Sequence, residues 1–265
     1  MWYTCHVTTL AVLFATPVAA DATQPLLTYY DDASGERVEL SGVTLGNWVA
    51  KTANLLVDGV GTLPGEVALV RLPPHWQTAA VLLGCWSAGL IVTGVPLPSG
   101  VSVAFTRPAP EILGRDDALP GGDPEVGDVL VGASPTVAGE RYVLGLHPLG
   151  APLPAGQVPP GHLDFTAEVR GYGDRFAPAA PLPGSAPAAP GSTRAELAAR
   201  ALARAGELGI GSGDRVLIDA STHPDHLDWL LAPLAAGASI VLCGHLDHAR
   251  LPARTAAERV TVSLA

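Results

Sequence analysis

Two runs of histidine and aspartate are, by residue type, the parts of this chain best suited to bind or catalyse: His223-Pro224-Asp225-His226-Leu227-Asp228 and His245-Leu246-Asp247-His248. Neutral imidazole and carboxylate are ligands for Zn²⁺ and similar ions, and such a centre would support hydrolysis. Pro224, however, favours the first turn of a helix, and Asp225 and Asp228 suit that end electrostatically. The runs are therefore read as a polar helix N-terminus beside a strand end, with no metal. A metal-assisted hydrolase using His223–His248 stays as the alternative. Gly209-Ile210-Gly211-Ser212-Gly213 has the look of a dinucleotide loop. It precedes a strand instead of following one, so it reads as a helix stop and turn. No G-x-S-x-G is present, which leaves an α/β-hydrolase elbow unsupported. The carboxylate pairs Asp31-Asp32 and Asp116-Asp117 lie among turn residues and read as solvated turns.

The elements that must position these residues come twice. One copy runs from about Leu40 to Val95, the other from about Gly191 to His245. Each opens with a helix, carried by Leu45, Trp48, Val49, Thr52, Leu55 and Leu56 in the first and by Leu197, Ala198, Ala201, Leu202 and Ala205 in the second. Thr193 with Glu196 makes a capping box. Then come a glycine turn, a short strand (Val67–Val70 or Arg215–Ile218), a second helix ending at Ala88-Gly89 or Ala236-Gly237, and another strand. Gly65 to Gly89 and Gly213 to Gly237 are both 24 residues, and His75 and His223 each lie 10 residues after the leading glycine. Strand–helix–strand spacing of this size requires a crossover and so a parallel sheet. Val101–Phe105, Val129–Val131 and Tyr142–His147 read as further strands, and Leu163–Arg175 as a short helix. The expected architecture is two similar α/β lobes with mainly parallel sheets flanked by helices. The first lobe covers residues 1–176, a Pro/Ala/Gly-rich linker 177–191, and the second lobe 192–265. In open α/β sheets ligands bind beyond the carboxyl ends of the strands. His75, Trp76, His223 and His226 follow such ends.

The 265 residues carry a formal net charge of −10, and Lys51 is the single lysine. A nucleic-acid binder needs clustered cations, so nucleic acid and anionic membranes are excluded as partners. Cys5, Cys85 and Cys243 form no CxxC or framework, which fits a reducing, cytoplasmic compartment. The apolar stretch Leu10–Ala20 lacks a preceding basic residue and contains Pro17, so residues 1–22 read as a helix in preference to a secretory leader.

The segment LSGVTLGNWVAKTANLLVDGVGTLPGEVALVRLPPHWQTAAVLLGCWSAGLIVTGVPLP resembles the opening of acyl-CoA synthetases and other adenylate-forming (AMP-binding) enzymes. GDRVLIDASTHPDHLDWLLAPLAAGASIVLC resembles the segment that follows their nucleotide-phosphate loop. With PLLTYYDDASGERVELSG, the chain is similar to a family of short actinobacterial proteins distantly related to those enzymes. The resemblance implies the N-terminal part of the adenylate-forming fold, and it is the sole source of any expectation of ATP, AMP or CoA. It also places a Ser/Thr/Gly-rich loop ending in Pro-Lys before the second repeat. Here that loop reads from Pro181 to Ser192, with Gly184, Ser185, Gly191 and Ser192 but no lysine, and proline lacks the N–H that cradles phosphate. The family's adenine, ribose and hinge motifs and its catalytic lysine would lie beyond residue 265. The resulting expectation is a protein of this architecture without adenylation activity and without a resident cofactor. It would bind a small acyl or nucleotide ligand through His75, Trp76, Gly184, Ser185, Ser192, His223 and His226. A structural module is the third reading: a homo-oligomer or partner-binding scaffold packing through the Leu227–Ala236 helix.

Overall fold

The computed structural model describes residues 23–98, 100–108 and 137–265. The strand expected at Val129–Val131, the Asp116-Asp117 pair and the reading of residues 1–22 lie outside the described residues. The chain forms a mixed α/β structure with mostly parallel sheets, divided into two compact units. One unit takes in the described residues up to Gly46 together with Pro178–Ala265, and the other is Asn47–Ala177.

The chain enters through β1 (Pro25–Asp31) and β2 (Glu36–Ser41), a hairpin turned by Gly35 in the left-handed region. Leu26, Leu27, Thr28 and Tyr29 are buried in succession, the mark of an interior strand with both faces covered. β2 alternates between more and less exposed positions, as an edge strand does. Helix α1 (Gly42–Asn54) starts where the Ser41 hydroxyl accepts the Thr44 amide.

The second unit contains β3 (Val67–Arg71), α2 (Trp76–Ser87), β4 (Ile91–Thr93), β5 (Val101–Thr106), β6 (Val137–Val143), β7 (Leu163–Asp164) and a one-turn α3 (Phe165–Glu168). Its sheet has the order β4-β3-β5-β6-β7, every pair parallel. The crossover helix α2 is buried along almost its whole length. Its Gly84 lies against Thr52 of α1: a Cβ there would meet the Thr52 Cβ at 2.5 Å and the Val49 carbonyl oxygen at 3.3 Å. Gly84→Ala is therefore expected to cost about 1–3 kcal/mol through overpacking. Urea unfolding checks this, with a lower midpoint and an unchanged slope.

After a hairpin of β8 (Pro187–Ala189) and β9 (Ser192–Thr193), the first unit continues with α4 (Arg194–Glu207), β10 (Arg215–Asp219), a π-helical turn at Leu227–Leu231 running into α5 (Ala232–Ala236), β11 (Ser239–Gly244), α6 (Leu251–Ala257) and β12 (Val262–Leu264). The sheet order is β12-β10-β11-β1-β2, parallel except for β1–β2. The stripe Leu197, Ala198, Ala201 and Ala205 of α4 is buried, and α4 packs on the 227–236 segment. Trp229, Leu230, Leu231 and Leu234 of that segment are at most 1% exposed. Burying each leucine stabilises by roughly 1.5–3 kcal/mol, so this face is core and not a spare docking surface.

The repeat extends to individual hydrogen bonds at one offset, 213 − 65 = 148 residues. Gly65 N donates to Gly89 O at 2.9 Å and Gly213 N to Gly237 O at 3.1 Å. Ile91 N donates to Glu66 O and Ser239 N to Asp214 O, both at 2.8 Å. All four of these glycines have positive φ, which side chains rarely tolerate. The registers agree as well: Val67 pairs with Ile91 as Arg215 pairs with Ser239, and Ala68 pairs with Val103 as Val216 pairs with Val262.

Three expectations change. Residues 25–41 join the sheet of the second repeat and not the first lobe, because the apolar β1 completes its two-sided burial between β11 and β2. Part of the 177–191 linker is built structure, since Pro187–Ala189 pairs with Ser192–Thr193 and Ala188 is fully buried. Leu163–Arg175 is not one helix but β7, α3 and a 3₁₀ turn at Val169–Gly171, with Asp164 capping α3 through the Thr166 and Ala167 amides.

Candidate functional site

The start of α4 is where an anion grip would sit. A helix leaves its first amides unsatisfied, and these, with the helix dipole, attract phosphate. Here they are taken. Arg194 N donates to Ala186 O at 2.8 Å, Ala195 N to Gly184 O at 2.9 Å, and Glu196 N to Thr193 Oγ1 at 3.2 Å. The Glu196 carboxylate returns to accept the Thr193 amide at 2.8 Å and its hydroxyl at 2.9 Å, completing the capping box. Hydrogen bonds from the Thr193 backbone and side chain hold the Glu196 carboxyl below its ordinary range, so it occupies the helix start as an anion. Gly184 thus presents an acceptor where phosphate needs donors. Ser185 is exposed, and Ser192 is half-buried in β9. The hairpin is closed by Pro190 and Gly191, the latter at φ 67°.

The start of α2 is the equivalent place in the other repeat. His75 is its N-cap, with Nδ1 accepting the Gln77 amide at 3.1 Å. The ring is 2% exposed, and burial, helped by the charge of Arg107, drops its pKa to about 3. It is a neutral cap, not an accessible ligand. Trp76 is 2% exposed and meets Trp48 edge-on at 5.1 Å. Gln77 donates from Nε2 to the His147 carbonyl oxygen at 2.7 Å.

In the first unit the two histidine runs part company. His223 Nδ1 lies 2.9 Å from the Thr222 hydroxyl, and His226 lies 3.7 Å from Asp225. Burial lowers the pKa of His226, with Arg200 adding to the effect and Asp225 opposing it. Asp228 is held by Arg204 at 2.7 and 3.0 Å. His245 instead pairs with Asp31 at 2.9 Å from a left-handed backbone, φ 46°, and His248 is exposed. No group of three or more His, Cys, Asp or Glu among the described residues is arranged to hold a metal ion. Among the described residues the two runs thus face different partners, His223 the Thr222 hydroxyl and His245 the Asp31 carboxylate.

The reading of Asp31-Asp32 as a solvated turn is also corrected. Their side chains are 8% and 5% exposed. Asp32 accepts from Arg254 at 2.6 and 3.0 Å, from Arg250 at 3.3 Å and from the Asp247 amide at 2.8 Å. Sequence reasoning missed Arg254, Gln77 and Arg107. Their partners are remote, and the one local signal was the run of polar residues just after strand ends. Cys85 and Cys243 are free buried thiols; burial raises both, Cys243 to about 11. No described helix is long and apolar enough to cross a membrane.

No family model matches the chain. A TIGR03089 family protein of Mycobacterium tuberculosis (strain ATCC 25618 / H37Rv) is 42% identical over 257 residues, covering 96% of this chain and 97% of that protein. Solved structures share the fold at low identity. The acyl-CoA synthetase of Brucella canis superposes with a TM-score of 0.65 at 17% identity, over 97% of this chain and 47% of that one. The anthranilate CoA ligase AuaEII, in complex with anthranoyl-AMP, gives 0.63 at 15%, over 95% and 47%. The N-terminal domain of FACL13 from Mycobacterium tuberculosis gives 0.63 at 13%, over 97% and 62%. The chain thus spans about half the length, 47%, of the first two enzymes and has the fold of their N-terminal part.

Proposed function

The chain belongs to the TIGR03089 family, and from that premise we propose a small-ligand-binding protein on an adenylate-forming fold that does not itself adenylate. One observation carries this reading: at the start of α4, where the family resemblance would put a triphosphate, the first three amides are bonded within the chain and the Glu196 carboxylate closes back on Thr193. Binding ATP there would mean breaking the capping box and bringing two anions together, with no lysine in the loop to offset their repulsion. The ligand class is a small acyl or nucleotide compound, by likeness to the acyl-CoA synthetases. Nucleic acid and membranes are not partners in this reading, since the net charge is −10 with no cation cluster. A cytoplasmic setting accords with the buried free thiols of Cys85 and Cys243.

ATP–pyrophosphate exchange with a panel of carboxylic acids tests the reading. No exchange above the protein-free blank is expected, and robust exchange by this chain alone would reject the proposal. A thermal-shift series with ATP, AMP, CoA and fatty acids tests the ligand half, because a compound selective for the native state raises Tm. A rise with one acyl or nucleotide class is expected, and a flat series across all of them would sink that half.

A further inference from the structure

Among the described residues, β2 closes one side of the first unit's sheet: it pairs with β1 and with no other strand. An edge strand leaves every second N–H and C=O without a ladder partner, and natural proteins commonly guard such edges with charge. The charges on this edge have a symmetric order. In Glu36-Arg37-Val38-Glu39-Leu40-Ser41 a cation and an anion lie at equal distance on either side of Val38. Side chains alternate along a strand, so Arg37 and Glu39 share one face, the face of Tyr30, and Val38 lies on the other. Within the chain these two charges are only partly used. Arg37 Nη2 donates to Glu39 Oε2 at 2.6 Å and to Glu258 Oε1 at 3.0 Å, and Arg37 Nε donates to the Tyr30 hydroxyl at 2.9 Å. Arg37 Nη1 and Glu39 Oε1 have no partner among the described residues. The two side chains are 47% and 38% exposed. Tyr30 and Glu258 anchor the guanidinium, so little freedom is lost when it meets a second carboxylate.

This order fits a second copy of the same strand. Antiparallel pairing of β2 with itself about Val38 sets Arg37 opposite Glu39 of the second copy and Glu39 opposite its Arg37. Directly opposed residues of unlike charge attract, and like charges so placed repel. The same charges disfavour the other pairings. A parallel, in-register pair opposes Arg37 to Arg37 and Glu39 to Glu39. An antiparallel pair centred on either charged residue sets that residue against itself. A pairing of Arg37 with Val38 brings opposite faces of the two sheets together. We propose that β2 is a homodimer edge, through which two copies join their sheets in antiparallel fashion about Val38, held by reciprocal Arg37–Glu39 pairs. The paired run extends only from Glu36 to Leu40, so the contact lies at the small end of interface sizes and the dimer is weak and concentration-dependent.

Sedimentation velocity of the full chain tests this, from roughly 10 μM to 1 mM, the range in which a weak contact forms. Salt at about 0.15 M screens the repulsion between two chains of net charge −10. The unmodified protein is expected to pass from monomer to dimer as concentration rises. Arg37→Glu and Glu39→Arg are each expected to weaken the dimer about tenfold or more, since either reversal opposes like charges at both pairs. Mixing the two variants in equal amounts is expected to recover it, because the doubly acidic edge of one then faces the doubly basic edge of the other. Simple damage to the fold by either substitution would not be cured by mixing. A strict monomer for the unmodified chain across the whole range would overturn the proposal without recourse to any variant. So would a dimer that neither reversal weakens, or one that mixing fails to recover, because the contact would then lie on another surface.

Discussion

Asp32→Ala is expected to destabilise the protein by about 3–5 kcal/mol, the cost of leaving a buried charge without its partner. The charge is that of Arg254, whose side chain is 6% exposed, against 5% for Asp32. The pair is bidentate, at 2.6 and 3.0 Å, and the guanidinium also lies 4.2 Å from the centre of the Tyr30 ring. Asp32 follows β1 and Arg254 sits in α6, so one contact ties residues 222 positions apart. Urea unfolding of Asp32→Ala measures the loss. Asp32→Leu with Arg254→Met should recover much of it, since removing both charges leaves neither unpaired. A double variant as weak as the single would show that packing, and not the stranded charge, carries the effect. The pH dependence has a definite sign. Burial pushes the Asp32 carboxyl up, but the Arg254 hydrogen bonds, the Asp247 amide and the charges of Arg254 and Arg250 outweigh it and hold the pKa below the ordinary value. The folded pKa is depressed, so this stabilisation is present above the unfolded value of roughly 3.9 and is lost as pH falls through the folded one.

Acid should act on the second unit at a higher pH, through His75. Its pKa falls from 6.5 to about 3, first because the ring is buried and second because Arg107 is near. In the unfolded chain the imidazole protonates near 6.5, whereas in the fold it stays neutral until about 3. Over that window the unfolded state holds the extra proton, so stability falls as pH falls. The stabilisation is complete above 6.5 and drops by about 3–5 kcal/mol on reaching pH 3, from the free energy of each pKa unit. His75→Asn isolates this share, because asparagine caps the helix as His75 Nδ1 does and does not titrate. The unfolding free energy of the unmodified protein minus that of His75→Asn should fall steadily from pH 7 to pH 4, and a constant difference would show that His75 is not the group responsible.

The candidate sites divide along the same line of distance. The Thr193–Glu196 box, the lysine-free loop before α4 and the matched glycines are all legible in the sequence because each rests on residues within a few positions of one another. Asp31 and Asp32 look like turn residues for the same reason: in a local window nothing faces them, while in the fold His245 and Arg254 do. The histidines show the converse. Their spacing suggests one cluster, but the end of β11 carries His245 to Asp31, and His223 stays with Thr222.

What the sequence determined by itself is the duplicated strand–helix–strand unit at an offset of 148 residues, its caps and turns, and the parallel pairing that a crossover of that length enforces. Helical and strand periodicities, capping and glycine backbone freedom act over a handful of residues, so a linear reading captures them. Only the tertiary structure decided that β1 lies beside β11, with Leu27 against Ile240, that Asp32 holds Arg254, and that Trp76 and Gln77 turn polar atoms into the interior. Each of these depends on which distant segments close against one another, and that is settled by the burial of whole apolar faces and not by any local pattern.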